Sequence, residues 1–261
     1  VPVLSDIAFA PFERQARRAY ALADAVVGTS DEYAARPFRD RAEDIPKLVV
    51  YVGNDLEEFD AGAAENVGSV EKPEGEVWVT YAGNISALYD LETLVEAVAI
   101  AAKAHPELRL KILGDGPERA SVEAAVERTG APAGLLGYMP YRVMAAWLKA
   151  SHKVDNSVVA DAPQSVPTKI GDYLASGRPM INTSMFVEFR EKVVRDAFGV
   201  NVVPGDAEGL ARVICELVED EAGRARMGRV ARELAAAQFD RPHSYEATVD
   251  LIRGLISERT K

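Results

Sequence analysis

Gln164 and Asp172 stand eight positions apart in the stretch PQSVPTKIGDYLASGRPMINTS (163–184), with Ser165, Thr168 and Lys169 between them. Small and polar residues just ahead of a helical run leave backbone N–H groups unpaired, and such groups favour an anion such as a phosphate. Lys169 adds a mobile positive charge on the first turn of that helix, and Arg178 is a second local cation. Asp172 is the only carboxylate of the segment. Gly177 and Pro179 end the helix, and Met180–Thr183 predicts a short strand.

Three glycine-bearing loops precede this segment: Gly83-Asn84, Gly114-Asp115-Gly116-Pro117 and Gly137-Tyr138. Each follows an apolar run that reads as a strand, where glycine lets a ligand come close to backbone amides. Residues 83–84 do not complete a G-x-G-x-x-G, so a nicotinamide site is unsupported. His105, His152 and His243 lack the close spacing of metal ligands, and no metal is expected. The single cysteine, Cys215 in VICELV, has no disulfide partner and suits an apolar helix face in a reducing setting.

The elements that would position these loops follow from periodicity. Strands are expected at 24–30, 47–52, 77–82, 108–113, 134–137, 154–160, 180–183 and 200–203. Helices are expected at 7–23, 90–104, 118–129, 141–150, 186–197, 206–219, 221–237 and 243–258, besides the short one after Thr168. Strands alternating with helices of this length predict parallel βαβ units in an α/β, Rossmann-like doubly wound sheet, with ligands at the strand C-termini. Trp78 and Trp147 fall within apolar patterns and are expected in the core. Residues 61–75, rich in Gly, Ala, Glu and Pro without a period, are expected to be a linker.

The 261 residues carry a net charge of −11, which argues against a nucleic-acid partner. No apolar run approaches the roughly 18 residues of a membrane span, and a cytoplasmic setting is expected. The chain begins at Val1 and enters a helix abruptly, which suggests a piece of a longer protein.

In order and spacing, ADAVVGTSDEY (23–33), VVYVGNDLEEF (49–59), YAGNISALYDLETLVEA (81–97), LKILGDGPER (110–119), LLGYMPY (135–141) and PTKIGDYLASGRPMINTS (167–184) together resemble the C-terminal half of a GT-B glycosyltransferase of family 4. The resemblance implies a division of the chain. Residues 1–60 would be the end of the acceptor-binding N-terminal domain with its connection, 61–75 the linker, 76–240 the nucleotide-sugar-binding domain and 241–261 a helix crossing back to the missing domain.

It also implies a function, transfer of sugar from a nucleoside-diphosphate sugar to an acceptor hydroxyl, with retention, in polysaccharide or glycolipid assembly. The alternatives are a non-catalytic nucleotide-sugar-binding module and, ranked lower, a sugar-nucleotide epimerase on the same fold. No cofactor is implied; UDP or GDP would be the nucleotide of the donor, and the acceptor a sugar or lipid-linked sugar. Any peripheral membrane attachment, at the inner face, would run through the missing domain, which would also hold the catalytic base.

The family's paired glutamates fall on Gln164 and Asp172. Asp172 would hold the ribose hydroxyls and Gln164 the donor sugar, with backbone N–H groups from Ser165 onward at the pyrophosphate. Gly114, Asp115, Gly116, Pro117 and Tyr138 would border the base. Where the family places an Arg and a Lys to neutralise the leaving diphosphate, this chain has Asn84 and Tyr89. Lys169, on the opposing loop, is the expected substitute; Gly83 is expected at the donor too, and Asn84, Ser86 and Tyr89 after it would supply neutral donors.

Overall fold

A computed structural model describes residues 2–39, 44–162 and 166–259. In chain order the elements are α1 (Pro2–Leu22), β1 (Val26–Gly28), α2 (Asp31–Ala35), β2 (Lys47–Val49), α3 (Leu56–Glu65), β3 (Val77–Ala82), α4 (Leu91–Ala101), β4 (Leu108–Leu113), α5 (Arg119–Thr129), β5 (Ala133–Gly137), α6 (Tyr141–Ala150), β6 (Lys153–Asn156), α7 (Lys169–Ala175), β7 (Met180–Asn182), α8 (Val187–Asp196), β8 (Gly199–Asn201), α9 (Ala207–Glu219), α10 (Glu221–Leu234) and α11 (Arg241–Arg259). They fall into two compact units, one of Val1–Tyr51 with Pro242–Lys261 and one of Val52–Arg241.

In the first unit β1 and β2 pair in parallel, Val26 opposite Lys47 and Gly28 opposite Val49. Gly28 sits tight against α2: a Cβ there would come within 2.6 Å of the Ala34 nitrogen. Ser30 caps α2 by accepting from the Tyr33 N–H at 3.2 Å.

The second unit is a six-stranded parallel sheet in the order β5-β4-β3-β6-β7-β8. Its first strand, β3, is central, so chain order reverses between β3 and β6; that point is where open α/β sheets bind ligands. β3 is buried nearly throughout because both sheet faces are covered, which is why VWVTYA reads as a continuous apolar run. The core gathers Val79, Leu94, Val98, Leu110, Ile112 and Ile214, among others, from β3, β4, α4 and α9. Trp78 is fully buried and stacks on Trp147 with ring centroids 5.1 Å apart. Asn156, Asn182 and Asn201 are register partners at the ends of β6, β7 and β8. Asn156 Nδ2 donates to Asn182 Oδ1 at 2.9 Å and Asn182 Nδ2 to Asn201 Oδ1 at 2.8 Å, an amide ladder, buried at its first rung, that supports register.

The expected linker is corrected over its first part. Residues 61–65 complete α3, whose N-cap Asp55 accepts from the Glu58 N–H at 2.9 Å. Leu56, Phe59 and Ala63 are buried on one face of that helix. Gly62 lets it lie close on α6, since a Cβ there would fall 2.8 Å from the Arg142 Cα. The unit boundary lies between Tyr51 and Val52, ahead of this helix rather than within 61–75.

Candidate functional site

The C-terminal ends of β3, β4 and β5 run into loops that are fastened to one another. Gly83 N–H donates to Leu113 O at 2.9 Å, Gly114 N–H to Gly137 O at 2.8 Å, and Ile85 N–H to Asp115 O at 2.9 Å. Gly114 has φ +129°, and a Cβ on it would lie 1.9 Å from the Gly83 carbonyl oxygen. On Gly116 a Cβ would lie 2.2 Å from the Ile85 oxygen. These glycines therefore let loop meet loop, where the sequence suggested that they admit a ligand to the backbone. Tyr173 holds the end of β3 from behind, its hydroxyl accepting from Ala82 N–H at 2.8 Å and donating to Ala82 O at 3.0 Å.

Two cavities open on this platform. One, of about 350 Å³, is lined by Gly83, Asn84, Leu113, Gly114, Asp115, Tyr138, Met139 and Met144. The other, of about 690 Å³, shares Gly83, Tyr138, Met139 and Met144 with it and extends to Asn54, Tyr141, Thr168, Lys169, Asp172 and Arg241. The first is mostly apolar, with Asp115 its one charged residue; the second carries Lys169, Asp172 and Arg241.

Asp172 is fixed by two donors. Asn54 Nδ2 donates to its Oδ1 at 3.0 Å and the Tyr141 hydroxyl to the same oxygen at 2.9 Å. Among the described residues nothing donates to Oδ2, which leaves that oxygen for a ligand. Burial pushes the Asp172 carboxyl up, and the two hydrogen bonds with the nearby Arg241 work against that rise. Burial and the Asp172 charge push the Tyr141 phenol up in turn, so it stays a donor.

Asn54 is positioned by a clasp between the two ends of this unit. Its N–H donates to Phe239 O at 2.9 Å, and its own carbonyl accepts from Arg241 N–H at 2.7 Å. Arg241 Nη2 donates to Gly53 O at 3.0 Å. Gly53 has φ +55°, and a Cβ there would lie 2.1 Å from Phe239 O, so only glycine lets the two segments meet.

Lys169, expected as a mobile charge, is instead held in place. Its stem lines the larger cavity, but its Nζ is sealed and, among the described residues, has no hydrogen-bond partner. The ammonium lies 3.7 Å from the ring centre of Tyr89, 4.1 Å from that of Tyr81 and 5.9 Å from that of Tyr173. Burial pulls its pKa down to about 7, with the Asp155 carboxylate opposing. Tyr89 thus cages Lys169 and packs edge-on against Tyr81 instead of facing either cavity. Asn84 does line the smaller cavity, its carbonyl held by the Tyr81 hydroxyl at 2.7 Å.

Of the other residues expected at the site, Gly83, Gly114, Asp115 and Tyr138 line the cavities, while Ser86, Gly116 and Pro117 do not. Gln164 and Ser165 lie outside the described residues. Asn54, Tyr141 and Arg241 were missed. Asn54 and Tyr141 lie inside the quoted runs VVYVGNDLEEF and LLGYMPY, but no role followed from those runs.

Residues 76–220 match the family described as "Glycosyl transferases group 1". The chain belongs to that family. Its matched span contains the three glycine loops and Asp172, while Asn54 and Arg241 flank it. The lipopolysaccharide core biosynthesis glycosyltransferase LpsE of Rhizobium meliloti is 30% identical over 165 residues, 61% of this chain and 45% of that protein. A glycogen synthase of Mycobacterium tuberculosis is 24% identical over 168 residues, 64% of this chain and 40% of that protein. The chain thus spans less than half the length of these curated relatives. In fold it is similar to Anabaena HepE, solved in complex with UDP, with TM-score 0.73 at 19% identity over 89% of this chain and 64% of that one. Sucrose-phosphate synthase of Thermosynechococcus elongatus gives TM-score 0.73 at 24% identity over 93% of this chain and 61% of that one. In fold, the sheet and its flanking helices match the Rossmann-like domains of GT-B glycosyltransferases.

Proposed function

We propose that this chain is the donor-binding part of a glycosyltransferase, holding a nucleoside-diphosphate sugar across the two joined cavities. With the rest of its protein it transfers the sugar, with retention, to an acceptor hydroxyl on a sugar or lipid-linked sugar. The observation that carries this is the pairing of an apolar cavity with a charged one, in which Asp172 keeps one oxygen uncommitted. In this reading Asp115, Gly114 and Tyr138 border the base, Asp172 takes the ribose hydroxyls, and Gly83 with the Lys169 side faces the diphosphate. The UDP in the Anabaena structures and the polysaccharide and glycolipid names among the relatives support it. A cytoplasmic setting goes with the proposal.

One observation favours a second reading, a binding module without turnover: position 84 is Asn, position 89 is a caging Tyr, and the Lys169 ammonium is turned away from solvent. Diphosphate departure needs charge or strong donors. Calorimetric titration with UDP, GDP, ADP and their sugars separates the outcomes. Binding of one nucleotide family is expected; no response to any would sink both readings. Binding by the complete protein with no transfer to several acceptors would select the module.

A further inference from the structure

Lys169 is an unusual residue to find sealed. A lysine ammonium is strongly hydrated, and three tyrosine faces give back only part of what water supplied. The groups facing it come from four places in the fold: Tyr81 on β3, Tyr89 ahead of α4, Tyr173 on α7 and Asp155 on β6. Asp155 is itself completely buried, with Oδ2 lacking a partner among the described residues and Oδ1 accepting from the Ser157 hydroxyl. Burial pushes its carboxyl up to about 6, with the like charge of Asp90 adding to the rise and Lys169 opposing it.

The stem of Lys169, in contrast, borders the larger cavity. Its Cδ lies 3.6 Å from the point a Cβ on Gly83 would occupy, and Thr168 and Asp172 line the same space. One end of this side chain thus meets the cavity and the other the tyrosine cage.

We propose that Lys169 is a retracted cation whose charge is completed by the ligand, so that a donor diphosphate entering the larger cavity takes up a proton onto its Nζ. This rests on the donor-site reading above. The physical cause is that two negative charges in a poorly hydrated cavity favour the charged amine, which the empty cage does not. Near pH 8 the free protein holds Lys169 mostly neutral, since burial sets its pKa at about 7. The diphosphate raises that value, and binding carries a proton in with it. Below pH 6 the lysine is already charged and the uptake disappears. Above pH 7 donor affinity falls by up to about tenfold per pH unit until the pKa of the complex is reached.

The probe is UDP-glucose, with GDP-mannose and ADP-glucose as replacements. Each has a diphosphate esterified on both sides, with no ionisation of its own near neutrality. Calorimetric titration at pH 8, in two buffers of different ionisation heat, counts protons per ligand bound. Uptake of about one proton is expected for the unaltered protein. Lys169→Met should retain the fold, abolish the uptake and flatten the pH dependence of affinity. Lys169→Arg should bind without uptake, because its charge does not titrate. Asp155→Asn should shift the uptake to lower pH by removing the charge that favours the ammonium. Equal heats in both buffers while the sugar nucleotide binds would overturn the proposal, as would uptake that survives in Lys169→Met. If none of the three sugar nucleotides binds, the donor-site reading itself fails, and the proton linkage with it.

Discussion

Asp172 spends both of its protein hydrogen bonds on one oxygen, from Asn54 and Tyr141, and both donors come from outside its own helix. The carboxylate is therefore aimed before any ligand arrives. Asp172→Ala should weaken donor binding by about 1.5–3 kcal/mol, the range for hydrogen bonds to a charged group. Titration below the variant's melting temperature checks this, and unchanged affinity would remove Asp172 from the site. Lys153 makes an opposite prediction. It is fully buried on β6, its Nζ donating to Ile214 O at 3.3 Å, and burial pulls its pKa to about 7 from 10.5. Between those values the unfolded chain holds more protons than the folded one, so stability rises with pH across that window. The penalty is fully present below pH 7. Lys153→Met should stabilise by about 1–3 kcal/mol at neutral pH. The gain should shrink as pH climbs toward 10, and an equal or lower Tm at pH 7 would contradict it.

At the scale of elements, the loops after β3 and β4 act as one piece because glycine carbonyls and amides lie against each other. Gly114→Ala must move the Gly83 carbonyl and also adopt a φ of +129°, so a loss of about 1–3 kcal/mol is expected, with weakened donor binding. Gly130 supplies the control: φ is +67° and nothing lies within 4 Å of a Cβ there. Gly130→Ala should cost about 1–2 kcal/mol and leave affinity untouched. Denaturation and titration of the two variants side by side test the pair.

The bounds of β3, β4 and α6 were legible in the sequence because apolar runs or stripes there end at glycine, proline or polar residues. α3 was not, although Leu56, Phe59 and Ala63 carry a helical stripe. The Ala, Gly and Glu between them dilute it, and its partner α6 lies some eighty residues away. The same distance hid the site's fixed donors. Asp172 was readable from its own segment, but Asn54 and Tyr141 reach it from separations of 118 and 31 residues. Lys169 was found, but not its enclosure. Local sequence places a lysine on a first turn, and only the fold closes Tyr81 and Tyr89 over it.

At the scale of the molecule, every residue that lines the two cavities lies between Val52 and Arg241, within one compact unit. A chain of residues 52–241 should therefore fold and keep its ligand affinity within about threefold, since a factor of that size is well below the tenfold set by 1.4 kcal/mol. Both tryptophans are in it and stack on each other, so intrinsic fluorescence reports its unfolding alone. A shorter chain that starts after α3 should lose cooperativity, because it exposes the α6 face that Leu56, Phe59 and Ala63 cover. Among the described residues no helix is long and apolar enough to cross a membrane.

The clasp that positions Asn54 joins the entry and exit of this unit: Asn54 N–H meets Phe239 O, and Arg241 N–H meets Asn54 O. A segment whose two ends are hydrogen-bonded neighbours can be lifted from one chain and spliced into another without stretching the flanking sequence. In the language of gene architecture, residues 52–241 form a cassette. Whatever the cavities recognise is inherited with it as one block, and recombination between relatives at these two adjacent seams would exchange that specificity in a single step.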